Sequence, residues 1–295
     1  MNRFLFLLVP SLIWAQSLTL PNKPDSLKFA IFGDTGTGEK EESDVAAKAV
    51  EYQRAFPFKF AILLGDNLYG GEATKDFQNK FERPFKELLD QGVKFYAALG
   101  NHDDTKQVNY KLFNMNGERF YSFKPKNGVR FFALDSNYID PKQFEWLEKE
   151  LSSSGSDWKI CFFHHPLYSS GEKHGPNEEL RSVLEPILLK YGVNVVFAGH
   201  EHFYERLKPQ KGIEHITLGN SAKLRKGNID RGSGLTAAGF DTDRAFMLAE
   251  IDGDTMHFQT ISRTGRTVDK GAIKQIKLPA PEGEKPARVV VPVRK

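Results

Sequence analysis

The stretch Val193-Asn194-Val195-Val196-Phe197-Ala198-Gly199-His200-Glu201-His202 joins a short apolar run to two histidines spaced two residues apart. Its first part, Val193–Phe197, has the length and the β-branched composition of a buried strand. In the extended or turning backbone that follows, histidines two apart can point to the same side. Imidazoles in that arrangement can reach two metal ions that lie a few ångströms from each other. The stretch therefore predicts a strand whose carboxyl end carries metal ligands.

Four further segments place polar side chains directly after an apolar run. They are Gly33-Asp34-Thr35-Gly36, Gly65-Asp66-Asn67-Leu68-Tyr69, Gly100-Asn101-His102-Asp103 and His164-His165-Pro166. Taken singly, Asp34 or Asp66 is more typical of a turn or a helix cap, and a lone histidine of a satisfied core residue. Five such segments in one chain favour a metal site, because a rigid sheet can aim carboxylates, a phenol, an amide and imidazoles at one point.

The rest of the pattern predicts an α/β fold. Strands are predicted at Lys28–Phe32, Phe58–Leu64, Val93–Leu99, Arg119–Phe123, Val129–Leu134, Ile160–Phe163, Val193–Phe197, Ile213–Leu218, Ala245–Ile251 and Thr255–Ile261, and helices at Glu39–Ala55, Thr74–Asp90, Pro141–Leu151 and Asn177–Lys190. This alternation favours parallel strands, while hairpins at Asn127-Gly128 and near Asp252-Gly253 make the sheets mixed. Two β-α-β halves, before and after residue 135, are expected to pack face to face. Sites in such folds lie beyond the carboxyl ends of strands, where the five segments fall.

Composition limits the class of protein and its partners. With 295 residues, 40% hydrophobic side chains and 24 Phe, the chain can bury a full core and is not disordered. The formal net charge of +3 and the pI near 8.7 suit anionic substrates but argue against dedicated nucleic-acid binding.

Cys161 is the only cysteine, so it cannot form a disulfide within the chain. Its place in an apolar run predicts a small buried hydrophobe.

The N-terminus has the pattern of an export signal. A positively charged start precedes the apolar run Phe4–Trp14, and Ala15-Gln16 is a plausible cleavage point. We therefore expect residues 1–15 to be removed and the protein to be periplasmic or secreted. An uncleaved anchor or a buried first strand is the alternative, although the run is short for a hydrocarbon core of about 30 Å. Residues 26–276 would form the folded domain and residues 277–295 a loosely held tail.

The order of the five segments resembles that of the calcineurin-like metallophosphoesterases and, within them, the purple acid phosphatases of the tartrate-resistant type. The general pattern has Asp-x-His where this chain has Asp34-Thr35-Gly36, and it has no ligand where this chain has Tyr69. Loss of that histidine together with gain of a tyrosine is typical of the purple acid phosphatases. A phenolate is a hard anionic donor that favours Fe(III) over divalent ions. The resemblance covers most of residues 28–265 and implies a four-layer α/β/β/α sandwich with two mixed central sheets.

The resemblance also implies a binuclear metal centre, with Fe(III) and a divalent ion that is Fe, Zn or Mn. The ligands of Fe(III) would be Asp34, Tyr69, His202 and a bridging Asp66. The ligands of the divalent ion would be Asn101, His164, His200 and the same Asp66.

The activity implied is that of an exported phosphatase, which hydrolyses small-molecule phosphate monoesters by attack of a metal-activated hydroxide. Fe(III) plus a divalent ion, less two carboxylates, one phenolate and a bridging hydroxide, leave a charge of roughly +1, which attracts a phosphoryl dianion. Because ferric iron acidifies water more than zinc does, we expect an acidic optimum. A phosphodiesterase or nucleotide-directed hydrolase of the same fold is the alternative among enzymes. A non-catalytic iron-binding or redox protein is the alternative outside them.

The leaving alkoxide needs a proton or a positive neighbour, and His102 and His174 are the predicted catalytic residues. His174 lies in a loop before Gly-Pro, where an exposed surface histidine is also common. We expect a carboxylate such as Asp103 to hold His102, while His165 either orients the substrate or packs. Five basic residues either steer anions to the site or are simply solvated, namely Lys223, Arg225, Lys226, Arg231 and Arg244.

Overall fold

Thirteen strands in two mixed sheets form the centre of the computed structural model, which describes residues 18–138 and 140–277. In chain order the strands are β1 (Leu27–Phe32), β2 (Phe60–Leu63), β3 (Lys94–Ala97), β4 (Tyr121–Lys126), β5 (Val129–Ala133), β6 (Trp158–Phe163), β7 (Val195–Ala198), β8 (Tyr204–Leu207), β9 (Glu214–Leu218), β10 (Thr236–Phe240), β11 (Ala245–Asp252), β12 (Thr255–Ser262) and β13 (Thr267–Lys274). The helices are α1 (Lys40–Ala55), α2 (Thr74–Phe77), α3 (Lys86–Asp90), α4 (Pro141–Ser152) and α5 (Glu178–Lys190), with a π-helical turn at Gln78–Glu82 and 3₁₀ turns at Thr105–Asn109 and Lys111–Phe113. The predicted signal peptide, and the predicted tail beyond Lys277, lie outside the described residues.

The sheets mix parallel and antiparallel neighbours. The strand order is β13-β12-β11-β1-β2-β3 in the first sheet and β10-β8-β9-β7-β6-β5-β4 in the second. The strands β1, β2 and β3 are parallel to one another, and so are β5, β6, β7 and β9. The two predicted hairpins, β4–β5 and β11–β12, are present and antiparallel. The prediction of mixed sheets is therefore confirmed.

Side-chain alternation along the strands builds four layers. On β1, Phe29 points into the core between the two sheets, where its ring meets that of Phe131 on β5 edge-on at a centroid distance of 5.2 Å. Phe32, three residues further along the same strand, points the other way and packs on Phe85 among the helices that cover the first sheet. On the second sheet, Phe163 likewise packs against α5. The predicted α/β/β/α sandwich is confirmed.

The expected division of the chain at residue 135 is wrong. The strands β4 and β5, which precede it, belong to the second sheet, where β5 pairs with β6, and the last three strands return to the first. There β11 pairs with β1 in antiparallel register, for example at Phe29 and Ala249. The sequence pattern also does not predict β8, β10 and β13. Strand pairing is a long-range property, so local periodicity does not determine which sheet a strand joins.

The predicted helix Thr74–Asp90 is wrong as a single element. The chain instead forms α2, a π-helical turn and α3, in which the N–H of Arg83 donates to the carbonyl of Gln78, five residues earlier, over 2.8 Å. Pro84 follows directly. Because proline has no N–H and crowds the carbonyl four residues before it, a continuous α-helix cannot pass through this position without a break.

Cys161 is fully buried on β6, in the apolar layer between the second sheet and its helices. Burial raises the pKa of its thiol, since a thiolate would lose its hydration there. The prediction of a small buried hydrophobe is confirmed.

Candidate metal centre

Five of the parallel strands carry the predicted site segments at their carboxyl ends. Asp34 and Asp66 follow β1 and β2, and Asn101 follows β3, in the first sheet. In the second sheet, His164 follows β6 and His200 follows β7. The backbone N–H of His200 donates to Asp34 Oδ2 over 3.0 Å, which joins the two sheets at this edge. The fold therefore brings all five segments to one place.

One group of donor atoms comes from Asp34, Asp66, Tyr69 and His202, which we call the tyrosine group. The Tyr69 hydroxyl donates to Asp34 Oδ1 over 3.1 Å and lies 3.4 Å from His202 Nε2. That nitrogen is also 3.4 Å from the same Asp34 oxygen. One ligand atom each of Asp34, Asp66 and His202 lies within 4.8 Å of the others. These are the four side chains that the resemblance assigns to Fe(III).

A second group, which we call the histidine group, comes from Asn101, His164 and His200. Asn101 Oδ1 lies 2.9 Å from His164 Nε2 and 2.9 Å from His200 Nδ1, and the two nitrogens are 3.1 Å apart. His164 Nε2 is also 3.4 Å from Asp66 Oδ1. Asp66 therefore lies next to both groups, at the position that the resemblance gives to the bridging ligand.

The hydrogen bonds of His164 test whether the histidine group suits a metal ion. Its Nδ1 lies 2.9 Å from the carbonyl oxygen of Leu64, which only accepts hydrogen bonds, so Nδ1 carries the ring proton. Burial lowers the pKa of His164 well below its ordinary value, so the ring is neutral and Nε2 presents a lone pair. That lone pair faces another acceptor, Asn101 Oδ1, at 2.9 Å. Two acceptors this close repel each other unless a cation binds both, so these residues fit a divalent ion.

The other two imidazoles are also kept in the form that binds metals. Burial lowers the pKa of His200 to about 2, and the neighbouring His164 adds to the effect. Burial, followed by the positive charge of Arg225, lowers the pKa of His202 to about 4. Metal ligation requires the neutral imidazole. All three histidines of the site are therefore ready to bind at mildly acidic pH.

The acidic groups of the tyrosine group are shifted in the opposite sense. Burial, followed by the charge of Asp66, raises the pKa of Asp34 well above its ordinary value. Burial, followed by the charges of Asp34 and Asp66, raises the pKa of Tyr69. A bound cation reverses such shifts, because it stabilises the carboxylate and the phenolate directly. This cluster of anionic donors consequently fits a highly charged ion.

His165 lies beside the histidine group. Its ring centroid is 4.5 Å from that of His200 and 5.0 Å from that of His164. Its Nδ1 lies 2.9 Å from Ser136 Oγ, which also accepts a hydrogen bond from the backbone N–H of His165. Ser136 thus fixes the ring at the edge of the site, which supports an orienting role for His165 over packing alone.

The two predicted catalytic histidines lie beside different donor groups. His174 is on an exposed loop, with its ring centroid 4.4 Å from that of His200, and it lines a cleft of about 500 Å³ together with His165. His102 is exposed as well, and its ring centroid is 4.9 Å from that of Tyr69. Each can therefore approach a substrate bound at the donor groups.

The expectation that Asp103 holds the His102 ring is wrong. The Asp103 carboxylate accepts the backbone N–H groups of Asn67, Leu68 and Gly100, over 3.1, 3.0 and 2.8 Å. These buried donors lack water and compete more strongly for the carboxylate than an exposed imidazole does. Burial raises the pKa of Asp103 to about 7. Its role in the structure is to tie the second site segment to the third.

Lys223 and Arg225, two of the five basic residues predicted to flank the site, lie against the tyrosine group. The Lys223 ammonium is 4.3 Å from the centre of the Tyr69 ring. The backbone N–H groups of Lys223 and Arg225 donate to the carbonyls of Asp34 and His202, over 3.3 and 2.9 Å. Both cations are therefore fixed beside ligand-bearing residues, where they favour anionic substrates.

Two residues of the site have no role in the sequence analysis. Glu201 lies between two predicted ligands and is fully buried. The alternation of side chains in an extended backbone could have placed it opposite the two imidazoles. Ser136 reaches His165 across 29 residues of sequence, and no local pattern marks such a contact.

Comparison with known proteins agrees with this geometry. The family model of the calcineurin-like phosphoesterases matches residues 27–204, well over half of the chain. This chain belongs to the calcineurin-like phosphoesterase family. The predicted resemblance is confirmed, and so is the prediction of a metal-dependent phosphoester hydrolase.

Within the calcineurin-like phosphoesterases, this chain is similar to acid phosphatases. The mouse tartrate-resistant acid phosphatase type 5 is 26% identical over 265 residues, which cover 74% of this chain and 80% of the mouse protein. Purple acid phosphatase 17 of Arabidopsis thaliana is 25% identical over 293 residues, which cover 82% of this chain and 86% of the plant protein. The solved structure of the purple acid phosphatase PPD1 from yellow lupin has a TM-score of 0.73 at 17% identity, covering 86% of this chain and 55% of that chain. The structural likeness supports the fold, and the sequence relatives support the predicted subfamily.

Proposed function

We propose that this calcineurin-like phosphoesterase binds Fe(III) and a divalent ion side by side and hydrolyses phosphate monoesters. The observation that carries the proposal is the pair of donor groups that share Asp66. Tyr69, hydrogen-bonded to Asp34 within the tyrosine group, supports Fe(III) there, because a phenolate is a hard anionic donor. The imidazole lone pair of His164 supports a divalent Fe, Zn or Mn in the histidine group.

The chain's own residues divide the work of catalysis. Bound ions of this kind activate water and neutralise the charge on the phosphoryl oxygens. Asp66 lies next to both donor groups, and Lys223 with Arg225 adds positive charge at the tyrosine group. His165, held by Ser136, orients a phosphoryl group that enters the cleft.

We propose His174 as the residue that gives a proton to the leaving oxygen. Burial, followed by the charge of Arg225, lowers its pKa below the ordinary value, so its protonated ring gives up the proton more readily. Its place in the cleft next to His200 supports this role. His102, whose ring centroid lies 4.9 Å from that of Tyr69, is the second residue that could act on the leaving group.

A substrate panel tests the proposed preference for monoesters. The metal-loaded protein would be assayed with nitrophenyl phosphate, bis(nitrophenyl) phosphate, nucleotides and phosphopeptides from about pH 4 to about pH 8. Besides the metal ligands, the site carries the cationic side chains of Lys223 and Arg225. A dianionic monoester should therefore be favoured over a monoanionic diester. We expect kcat/KM to be at least about 100-fold higher for the monoester, with an optimum below neutral pH. A higher kcat/KM for the diester would contradict the proposal.

We also propose that the protein is exported and that residues 26–276 form its folded domain. The support is the short apolar run that ends at Trp14-Ala15. Among residues 18–138 and 140–277, the structure contains no helix with both the length and the hydropathy of a membrane span. Mass spectrometry of the protein from its native host should find a chain that begins at Gln16. A mature chain that retains Met1 would contradict cleavage.

A further inference from the structure

Glu201 is a fully buried carboxylate that lies between two proposed metal ligands but is bonded elsewhere. Its Oε1 accepts the backbone N–H of Gly175 over 2.7 Å. Its Oε2 accepts Nδ2 of Asn228 over 3.1 Å. The two carboxylate oxygens thus bind residues of two other loops, while the flanking His200 and His202 belong to the histidine group and the tyrosine group.

The two loops that Glu201 joins also contact each other. Gly171 forms an isolated bridge with Ile229, and the N–H of Glu172 donates to the carbonyl of Asn228 over 2.9 Å. The first of these loops continues directly to His174. The carboxylate therefore links the loop of the proposed proton donor to the turn that carries the ligands.

The space around this carboxylate is closely fitted. A Cβ atom at Gly171 would lie 2.2 Å from Glu201 Oε1 and 2.8 Å from Oε2, so only glycine leaves room for the carboxylate there. On the other side, Arg225 Nη1 lies 4.0 Å from Oε2 and adds an opposite charge. The surroundings of Glu201 therefore fix its carboxylate, with Oε1 directed at the Gly175 N–H and Oε2 at the Asn228 side chain.

We infer that Glu201 is a positioning residue that holds His174 over His200. The rings of His174 and His200 have centroids 4.4 Å apart. Gly175 directly follows His174 and Glu201 directly follows His200, and the hydrogen bond from the Gly175 N–H to the Glu201 carboxylate joins the two segments. Proton transfer to a leaving oxygen requires the donor within hydrogen-bond reach, and an exposed loop does not hold that geometry by itself. Glu201 supplies the fixed point. The kinetic part of this inference rests on the proposed phosphatase function and on the proposed role of His174.

The first test is kinetic. We expect Glu201→Ala to keep both ions but to lower kcat for an alkyl phosphate by about 10-fold or more, and to lower kcat for nitrophenyl phosphate much less. Glu201→Gln keeps one acceptor oxygen and should lose less. If Glu201 acts through His174, adding Glu201→Ala to His174→Ala should cost little more than His174→Ala alone. Independent, multiplicative losses or loss of a metal ion in Glu201→Gln would overturn the inference.

The second test does not depend on catalysis. Hydrogen exchange of the metal-loaded protein should be faster by about 10-fold or more in the peptide that contains residues 171–176 when Glu201 is replaced by Ala, and faster by a smaller factor when it is replaced by Gln, which keeps one acceptor oxygen. Glu250→Gln is the matched control, since Glu250 is also fully buried and accepts backbone N–H groups, from Asn22 and Lys23. It should leave exchange at 171–176 unchanged.

Unchanged exchange in both Glu201 variants would overturn the inference, whereas faster exchange in a protein without phosphatase activity would contradict only the proposed function. If Glu201→Ala does not fold, Glu201→Gln still decides the result because it keeps the side-chain volume.

Discussion

The hydroxyl of Tyr69 donates a hydrogen bond to Asp34 Oδ1 over 3.1 Å, although the two residues belong to different strand ends. Asp34 lies in the segment that lacks the histidine of the general family pattern, and Tyr69 lies in the segment that gains a phenol. The missing histidine corresponds to Gly36, whose carbonyl accepts the backbone N–H of Tyr69 over 2.8 Å, so the added phenol lies next to that position. The proton that the two side chains share is the one that a ferric ion would displace.

Tyr69→Phe should therefore remove the visible colour of the iron-loaded protein. In the proposed site the absorption would come from charge transfer between the Tyr69 phenolate and Fe(III). The substitution deletes only the oxygen, so the fold should remain. Visible spectra and circular dichroism of the same samples measure both effects. Tyr110→Phe is the control, because the Tyr110 hydroxyl is bonded to Glu82 and not to the site. A visible band that persists in Tyr69→Phe would contradict the assignment.

Gly100→Ala should displace Asp66. A Cβ atom at this position would lie 2.1 Å from the backbone nitrogen of Asp66 and 2.2 Å from its Oδ1. We expect lower metal content and a free energy of unfolding reduced by about 1–3 kcal/mol, measured by elemental analysis and urea denaturation. Gly232→Ala is the control, since the nearest atom there is the end of the exposed Asp230 side chain at 3.1 Å. Normal metal content in Gly100→Ala would refute the close approach.

The protein should keep its metal ions in mild acid. An imidazole ligand leaves the metal when it is protonated, and the pKa of His202, lowered to about 4, keeps this ring neutral well below its ordinary pKa of 6.5. Metal content after dialysis should be unchanged at about pH 5 and should fall only near or below about pH 4.

Arg225→Gln removes the second cause of the lowered His202 pKa, so this variant should lose its metal ions at a higher pH than the wild type does. The control Arg231→Gln, at a position whose guanidinium pairs with Asp241, should not differ from the wild type. A wild-type midpoint near pH 6.5 would contradict the account.

His174→Ala should retain both ions and lower kcat for alkyl phosphates by roughly 10- to 1000-fold. The loss should shrink for nitrophenyl phosphate, because that leaving group departs without a proton. His257→Ala on β12 is the control and should keep full activity. An equal loss for both esters would mean that His174 binds substrate without donating a proton, and no loss would make it an ordinary surface residue.

The strand ends and the order of the site segments could be predicted because they are local features. An apolar run followed by Gly-Asp or by paired histidines specifies both a buried strand and what stands at its end, as at Asp34 and His164. The sheet to which β4, β5 and β11 belong could not be predicted, since pairing joins residues far apart in sequence, such as Phe29 and Ala249. The break at Pro84 was readable from the sequence but conflicts with the apolar periodicity around it.

Within the site, the predictable residues are those that face the donor groups. The residues that hold them are less accessible to sequence reasoning. Asp103 stands next to His102 in the chain, yet its carboxylate is bonded to backbone N–H groups from another strand end. Ser136 and Glu201 act on histidine-bearing segments through contacts that exist only after the two sheets and their loops have packed. Such partners follow from tertiary structure, and residue type alone does not indicate them.

The most direct test of the central claim is phosphate release from a monoester by the protein before and after its metal ions are removed. The account predicts about two ions per chain, at least one of them iron, with turnover in mild acid that chelation abolishes and that restoring both ions recovers. His164→Ala, which removes a donor of the histidine group, should behave like the chelated protein. A protein that carries both ions and releases no phosphate, or one that remains fully active without them, would contradict the account.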